Sequence, residues 1–240
     1  MDIRTSSTRR RFLGAAGAWS AALLVAAESA ARAEEKAKPD AKPAAAQIEV
    51  TPNEDLMREH GVLRRLIILY DEAAARLEAS KEVPLETVSR AAGIVRKFVE
   101  DYHENLEEVY LFPRFEKAGV QTDLVKILRD QHKAGRRLMD EALAILKADE
   151  KTAAGRARLA KVLRLFNRLY TAHAAREDTV LFPAVRKIMT PKEYDAMGDT
   201  FEDAETNLFG ENGFEKVVGD VAGLEKTLGL ADLAQFTPTM

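Results

Sequence analysis

From Thr51 onward, apolar positions recur every three to four residues, and no strictly alternating run is long enough to suggest a strand. The first helix this predicts, 53–80, sets Leu56, Leu63, Ile67 and Tyr70 on one face, with His60 on the same side. A second opens at Pro84, a residue suited to a helix's first turn, and reaches about Lys117, where Gly119 breaks it. A third follows Thr122, a suitable N-cap, and runs to about Ala148, and a fourth covers about 153–189. Thr190-Pro191-Lys192-Glu193 has the form of a capping box with proline at the first helical position, so a fifth helix starts there. The turn Gly210-Glu211-Asn212-Gly213 separates it from a sixth, about 214–228, and 229–240 is expected to form a short packed tail.

Four long helices on short connections predict an all-α, antiparallel up-down four-helix bundle over 51–190, with additional C-terminal helices over 191–240. The first helix pair resembles the second at an offset of about 70 residues. Arg58-Glu59-His60 with Arg64-Arg65-Leu66 aligns with Asp130-Gln131-His132 with Arg136-Arg137-Leu138. The bundle is therefore expected to be two helical hairpins related by a pseudo-twofold axis.

Ahead of the bundle the composition changes. Residues 34–50, rich in Ala, Lys, Glu and Pro, offer little to bury and read as a disordered linker. Residues 1–33 read as a twin-arginine signal peptide. Thr8-Arg9-Arg10-Arg11-Phe12-Leu13 matches that export signal, a weakly apolar stretch follows, and Ala31-Arg32-Ala33 is a small-x-small cleavage site. An uncleaved membrane anchor fits less well, because the apolar run from Gly14 to Ala27 is shorter than the ~20 residues a span needs. The expected partners are then the twin-arginine export machinery and, in the periplasm or beyond, a small molecule. That machinery moves proteins already folded, which suits a cofactor loaded inside the cell. Removing the 33 residues, with their five arginines and two acids, takes the net charge from −3 to −6. Such a balance gives no reason to expect nucleic-acid binding.

The chain has no cysteine, which excludes disulfides, iron–sulfur clusters, thiolate ligands and a lipoprotein anchor. Any metal must be held by imidazole and carboxylate, a donor set suited to iron, manganese or zinc. All four histidines fall into one pattern written twice. His60 precedes His103-x-x-x-Glu107-Glu108 with Leu111-Phe112-Pro113, and His132 precedes His173-x-x-x-Glu177-Asp178 with Leu181-Phe182-Pro183. Residues four apart share a helix face, so each His–Glu pair can offer an imidazole and a carboxylate to one point in the core. A lone histidine is ordinarily a surface or satisfied core residue, and acidic pairs such as Glu107-Glu108 ordinarily face water. Four imidazoles and two carboxylates gathered in one core need a reason, since unpartnered buried polar groups cost several kcal/mol.

Across about residues 51–190 these motifs, with Glu59 beside His60, resemble the hemerythrin-like (HHE cation-binding) family. The resemblance implies a four-helix bundle around a non-heme di-iron centre. Glu107 and Glu177 would be shared by the two irons, with His60 and His103 serving one and His132 and His173 the other. Oxygen-carrying members have five histidines, two of them four apart on the third helix. Here Leu128 and Arg136 stand four before and four after His132, so one iron lacks an imidazole. Glu104, whose repeat partner is Ala174, is the best substitute ligand, and Glu59 is a second candidate. A ferritin-like bundle needs two Glu-x-x-His motifs, and only Glu100 to His103 supplies one.

Three functions remain open: binding or sensing oxygen or iron at the di-iron site, consuming peroxide, nitric oxide or oxygen there, or acting as a metal-free helical interaction module. Nothing in the sequence marks a general acid–base pair away from the metal ligands, which favours binding.

Overall fold

The computed structural model describes residues 50–148 and 151–239. The expected signal peptide and linker lie outside the described residues. From Thr51 onward the chain folds as one unit, and among the described residues there is no strand.

Helix α1 (Pro52–Glu78) starts at a capping box in which the Thr51 hydroxyl accepts from the Glu54 N–H, with Pro52 just inside. Its buried face carries Leu56, His60, Leu63, Ile67, Tyr70, Ala74 and Leu77. Helix α2 is a continuous rod over 85–118 that alternates between α-helical and π-helical turns, with π segments at Val95–His103 and Glu107–Leu111. Gly119, at φ 66°, ends it in the left-handed conformation that glycine adopts most readily. Helix α3 spans Thr122–Ala148. Helix α4, over 153–188, is α-helical except for a π segment at Glu177–Leu181.

Packing runs α1 on α4, α4 on α3, α3 on α2 and α2 back on α1, the closed ring of an antiparallel four-helix bundle joined by short loops. Helices α5 (Pro191–Phe209) and α6 (Gly213–Leu228) are part of the same fold. They lie along α1 and α2 and bury Tyr194, Met197, Phe201, Val217, Val221, Leu224 and Leu228. Phe209 meets the edges of Phe98 and Tyr102, and Arg65 grips Glu225 through two nitrogens at 2.7 and 2.6 Å. The C-terminal region thus seals the outer face of the first hairpin, behind His60 and His103.

One expectation fails. The tail beyond Gly229 is not packed: Leu230 touches the core, but Leu233 is 80% and Phe236 49% exposed. Gly229 closes α6 in a left-handed turn (φ 74°) that carries the chain away from the bundle. No helix among the described residues is long and apolar enough to cross a membrane.

Candidate metal centre

The four helices converge on six side chains. His60 comes from α1, His103 and Glu107 from α2, His132 from α3, and His173 and Glu177 from α4; none is more than 3% exposed. They form two overlapping sets of donors, His60–His103–Glu107–Glu177 and Glu107–His132–His173–Glu177, each with ligand atoms within 4.8 Å of one another. Both carboxylates belong to both sets. Nε2 of His60 lies 3.1 Å from Nε2 of His103, and Nε2 of His132 lies 3.1 Å from Nε2 of His173. The Glu177 carboxylate comes within 3.4 Å of His60 and 2.9 Å of His173, and that of Glu107 within 3.4 Å of His132 and 3.9 Å of His103.

The ring nitrogens facing away from this centre explain why the rings point inward. Nδ1 of His60 meets Asp178 at 2.7 Å, and Asp178 is held in turn by Arg64. Nδ1 of His132 meets Glu108 at 2.8 Å, and Glu108 is held by Arg136 at 3.0 Å. Nδ1 of His103 meets Glu59 at 2.7 Å, and Nδ1 of His173 meets the Gln131 side-chain oxygen at 3.0 Å. Every partner is an acceptor, so each Nδ1 carries a hydrogen and each Nε2 is the ring nitrogen turned inward. Bare lone pairs 3.1 Å apart repel unless a proton or a cation lies between them.

The repeated Leu-Phe-Pro also acquires a role. Phe112 stacks on His132, with ring centres 5.5 Å apart and planes at 23°, and Phe182 stacks on His60 at 5.4 Å and 22°. Each phenylalanine thereby fixes a ligand ring of the neighbouring helix. Its own N–H bonds the carbonyl five residues back, that of Glu107 or Glu177, which is the π-helical turn. Pro113 and Pro183 follow directly. A proline continuing an α-helix lacks an N–H and crowds the carbonyl four residues before it, and widening the preceding turn relieves that crowding. π turns so placed beside ligands recur at functional sites.

The charges are poised for exchange. Burial opposes a charge on His60 and His132, but carboxylates outweigh it. Asp178 and Glu177 raise His60 to about 9, and Glu107 and Glu108 raise His132 to about 10. Burial, against the neighbouring Glu177, pushes Glu107 well above the usual carboxylate range. Glu177 is held low despite its burial, by His173 and His60. None of the four oxygens of Glu107 and Glu177 has a well-directed hydrogen bond. Carboxylates without well-directed hydrogen bonds in a fully buried core are costly, and metal bound between them and the inward imidazole nitrogens answers that cost. The donor set, all nitrogen and carboxylate oxygen, fits iron.

The comparisons with known proteins agree. The family model for the hemerythrin HHE cation binding domain matches residues 51–185 and again 124–208. The chain belongs to this hemerythrin family. Among its relatives are the uncharacterized proteins Rv1995 of Mycobacterium tuberculosis and Mb2018 of Mycobacterium bovis. Each is 46% identical over 205 residues, covering 85% of this chain and 80% of the relative. The family match from 124 to 208 also takes in most of α5, past the expected boundary at 190.

Two expected hemerythrin ligands stand elsewhere. Glu59 faces Nδ1 of His103, the side of the ring away from the cluster, and so orients that ring from behind. Glu104 is buried near His132, but its carboxylate accepts from the Tyr170 hydroxyl at 2.5 Å and pairs with Arg136 at 2.8 Å. Glu104 also lies with Glu108 and His132 in a group of donor atoms within 4.8 Å of one another, outside the two sets that share Glu107 and Glu177. Glu100, the ferritin-like candidate, stands apart from both donor sets, paired with Arg96 at 2.5 Å.

The sequence pattern assigns no role to the side chains of Glu108, Asp178, Gln131 and Tyr170, which the structure places behind the ligands or beside Glu104. The signal for the first three was present: Glu108 aligns with Asp178, Gln131 with Glu59, and Arg136 with Arg64 in the repeat.

Proposed function

We propose that this chain is a non-heme di-iron protein that binds or senses oxygen or a comparably small ligand. The observation that carries the reading is the centre itself: two pairs of inward-facing imidazole nitrogens set across two shared, orphaned carboxylates. His60 and His103 would hold one iron, His132 and His173 the other, and Glu107 and Glu177 both. When bound, the irons would supply reversible redox chemistry and a position for the ligand. Burial of every donor to 3% exposure or less restricts that ligand to a few atoms. With Glu104 held by Tyr170 and Arg136, no residue of this chain would take the place of the fifth histidine of oxygen carriers. The protein's residues contribute orientation through Asp178, Glu59, Glu108 and Gln131, and exclusion of water through Phe112, Phe182 and the sealing helices α5 and α6.

The N-terminal pattern supports delivery through the twin-arginine route to the periplasm, which cell fractionation of a strain expressing the full chain would test. Exposing the reduced, iron-loaded protein to air tests the ligand assignment. The expected result is an absorbance change that persists for minutes and reverses when oxygen is withdrawn. Sustained consumption of peroxide, nitric oxide or oxygen over many turnovers would replace binding with catalysis, and an unchanged spectrum would remove the di-iron reading.

A further inference from the structure

The two halves of the centre match in most supporting residues, and one exception lies directly behind a ligand ring. Arg64–Asp178–His60 is repeated as Arg136–Glu108–His132, a carboxylate behind one imidazole of each pair. The other imidazoles differ. His103 donates to the carboxylate of Glu59 at 2.7 Å, whereas His173 donates to the neutral amide of Gln131 at 3.0 Å.

The surroundings enlarge this difference. Carboxylate oxygens of Glu59, Asp55 and Glu205, all buried, lie within 4.8 Å of one another, with Arg58 3.6 Å from Asp55. Carboxyl groups are therefore gathered behind His103. On the opposite side the extra carboxylate, Glu104, is engaged by the Arg136 guanidinium and the Tyr170 hydroxyl. A carboxylate accepting from Nδ1–H makes the opposite ring nitrogen a stronger donor than an amide does.

We propose that Glu59 and Gln131 are specificity-determining residues that make the two metal positions unequal, the His60–His103 position binding a divalent cation more tightly than the His132–His173 position. The inference rests on the di-iron reading above. Two irons then load in order, the first beside Glu59. Outer partners of ligating histidines are generally worth about 10–100-fold in metal affinity, and the separation of the two steps falls in that range.

The experiment is an anaerobic titration of the metal-free protein with Fe(II), followed by calorimetry, for the wild type, Glu59→Gln and Gln131→Glu. The wild type gives two resolved steps. Glu59→Gln weakens the tighter step by about 10–100-fold and merges it with the second, and Gln131→Glu strengthens the weaker step by a similar factor. A gain of affinity in Gln131→Glu is a result that mere structural damage cannot produce, so the test survives if Glu59→Gln proves unstable. Two irons taken up in steps that neither substitution moves would overturn the inference and leave the di-iron reading standing. No uptake by the wild type would overturn both.

Discussion

Glu107→Gln abolishes iron uptake yet leaves the metal-free protein about as stable as the wild type. The second effect follows from the structure. Both Glu107 oxygens are fully buried without a directed hydrogen bond, and burial beside Glu177 already forces this carboxyl toward its neutral form. Glutamine keeps the shape and the neutrality but not the ability to become a carboxylate ligand. The substitution therefore exchanges one neutral buried group for another of the same shape and volume, and it puts no new charge into the core. Loss of metal binding is total because Glu107 belongs to both donor sets. Saturating iron, at about a thousand times its dissociation constant, stabilises a folded state by about 4 kcal/mol. For a fold of this size that is a rise of about 8–16 °C in the unfolding midpoint. Melting curves with and without Fe(II) are expected to show that rise in the wild type and none in Glu107→Gln. A variant that still gains stability from iron would show that Glu107 is not a ligand.

Gly135→Ala has the largest expected cost of any glycine substitution in the bundle. A Cβ at this position would lie 2.0 Å from the Tyr170 hydroxyl oxygen and 2.6 Å from its Cζ. The ring cannot swing aside. It is packed at 4.4 Å against Phe166 and 5.5 Å against His173, and its hydroxyl is tied to Glu104. Overpacking of this kind costs about 1–3 kcal/mol, or about 2–12 °C in midpoint, and it disturbs the neighbourhood of His173. Gly93→Ala, an exposed helical glycine with nothing within 4 Å, serves as the opposite control. There alanine stabilises by about 0.5–1 kcal/mol. Equal midpoints for the two variants would mean that Gly135 does not accommodate Tyr170.

The sequence exposed the bundle and the six inner donors because both are periodic. Leu56, His60, Leu63 and Ile67 share one face, and His103 and Glu107, four apart, share another. Writing the pattern twice distinguished ligands from chance spacing. What stayed hidden depends on direction rather than face. Glu59 sits one residue before His60, a position whose register alone does not reveal that its carboxylate reaches the far nitrogen of His103 on α2. Glu104 adjoins His103 and looks like a ligand. Its orientation is decided by Tyr170 and Arg136 on two other helices, and by the missing side chain at Gly135 that lets Tyr170 in. The π turns are invisible to a periodicity of 3.6, because one residue of extra winding shifts it too little over a single turn. Only the prolines of Leu111-Phe112-Pro113 and Leu181-Phe182-Pro183 hint at them. The exposure of Leu233 and Phe236 in the tail is likewise not written in the sequence, which does not show the direction the chain takes after the turn at Gly229.

Elemental analysis of the purified wild-type protein tests the central claim most directly. The account predicts two irons per chain, one for each pair of facing histidines. A preparation grown with ample iron that contains none, or that keeps both irons after His173→Ala, would contradict it.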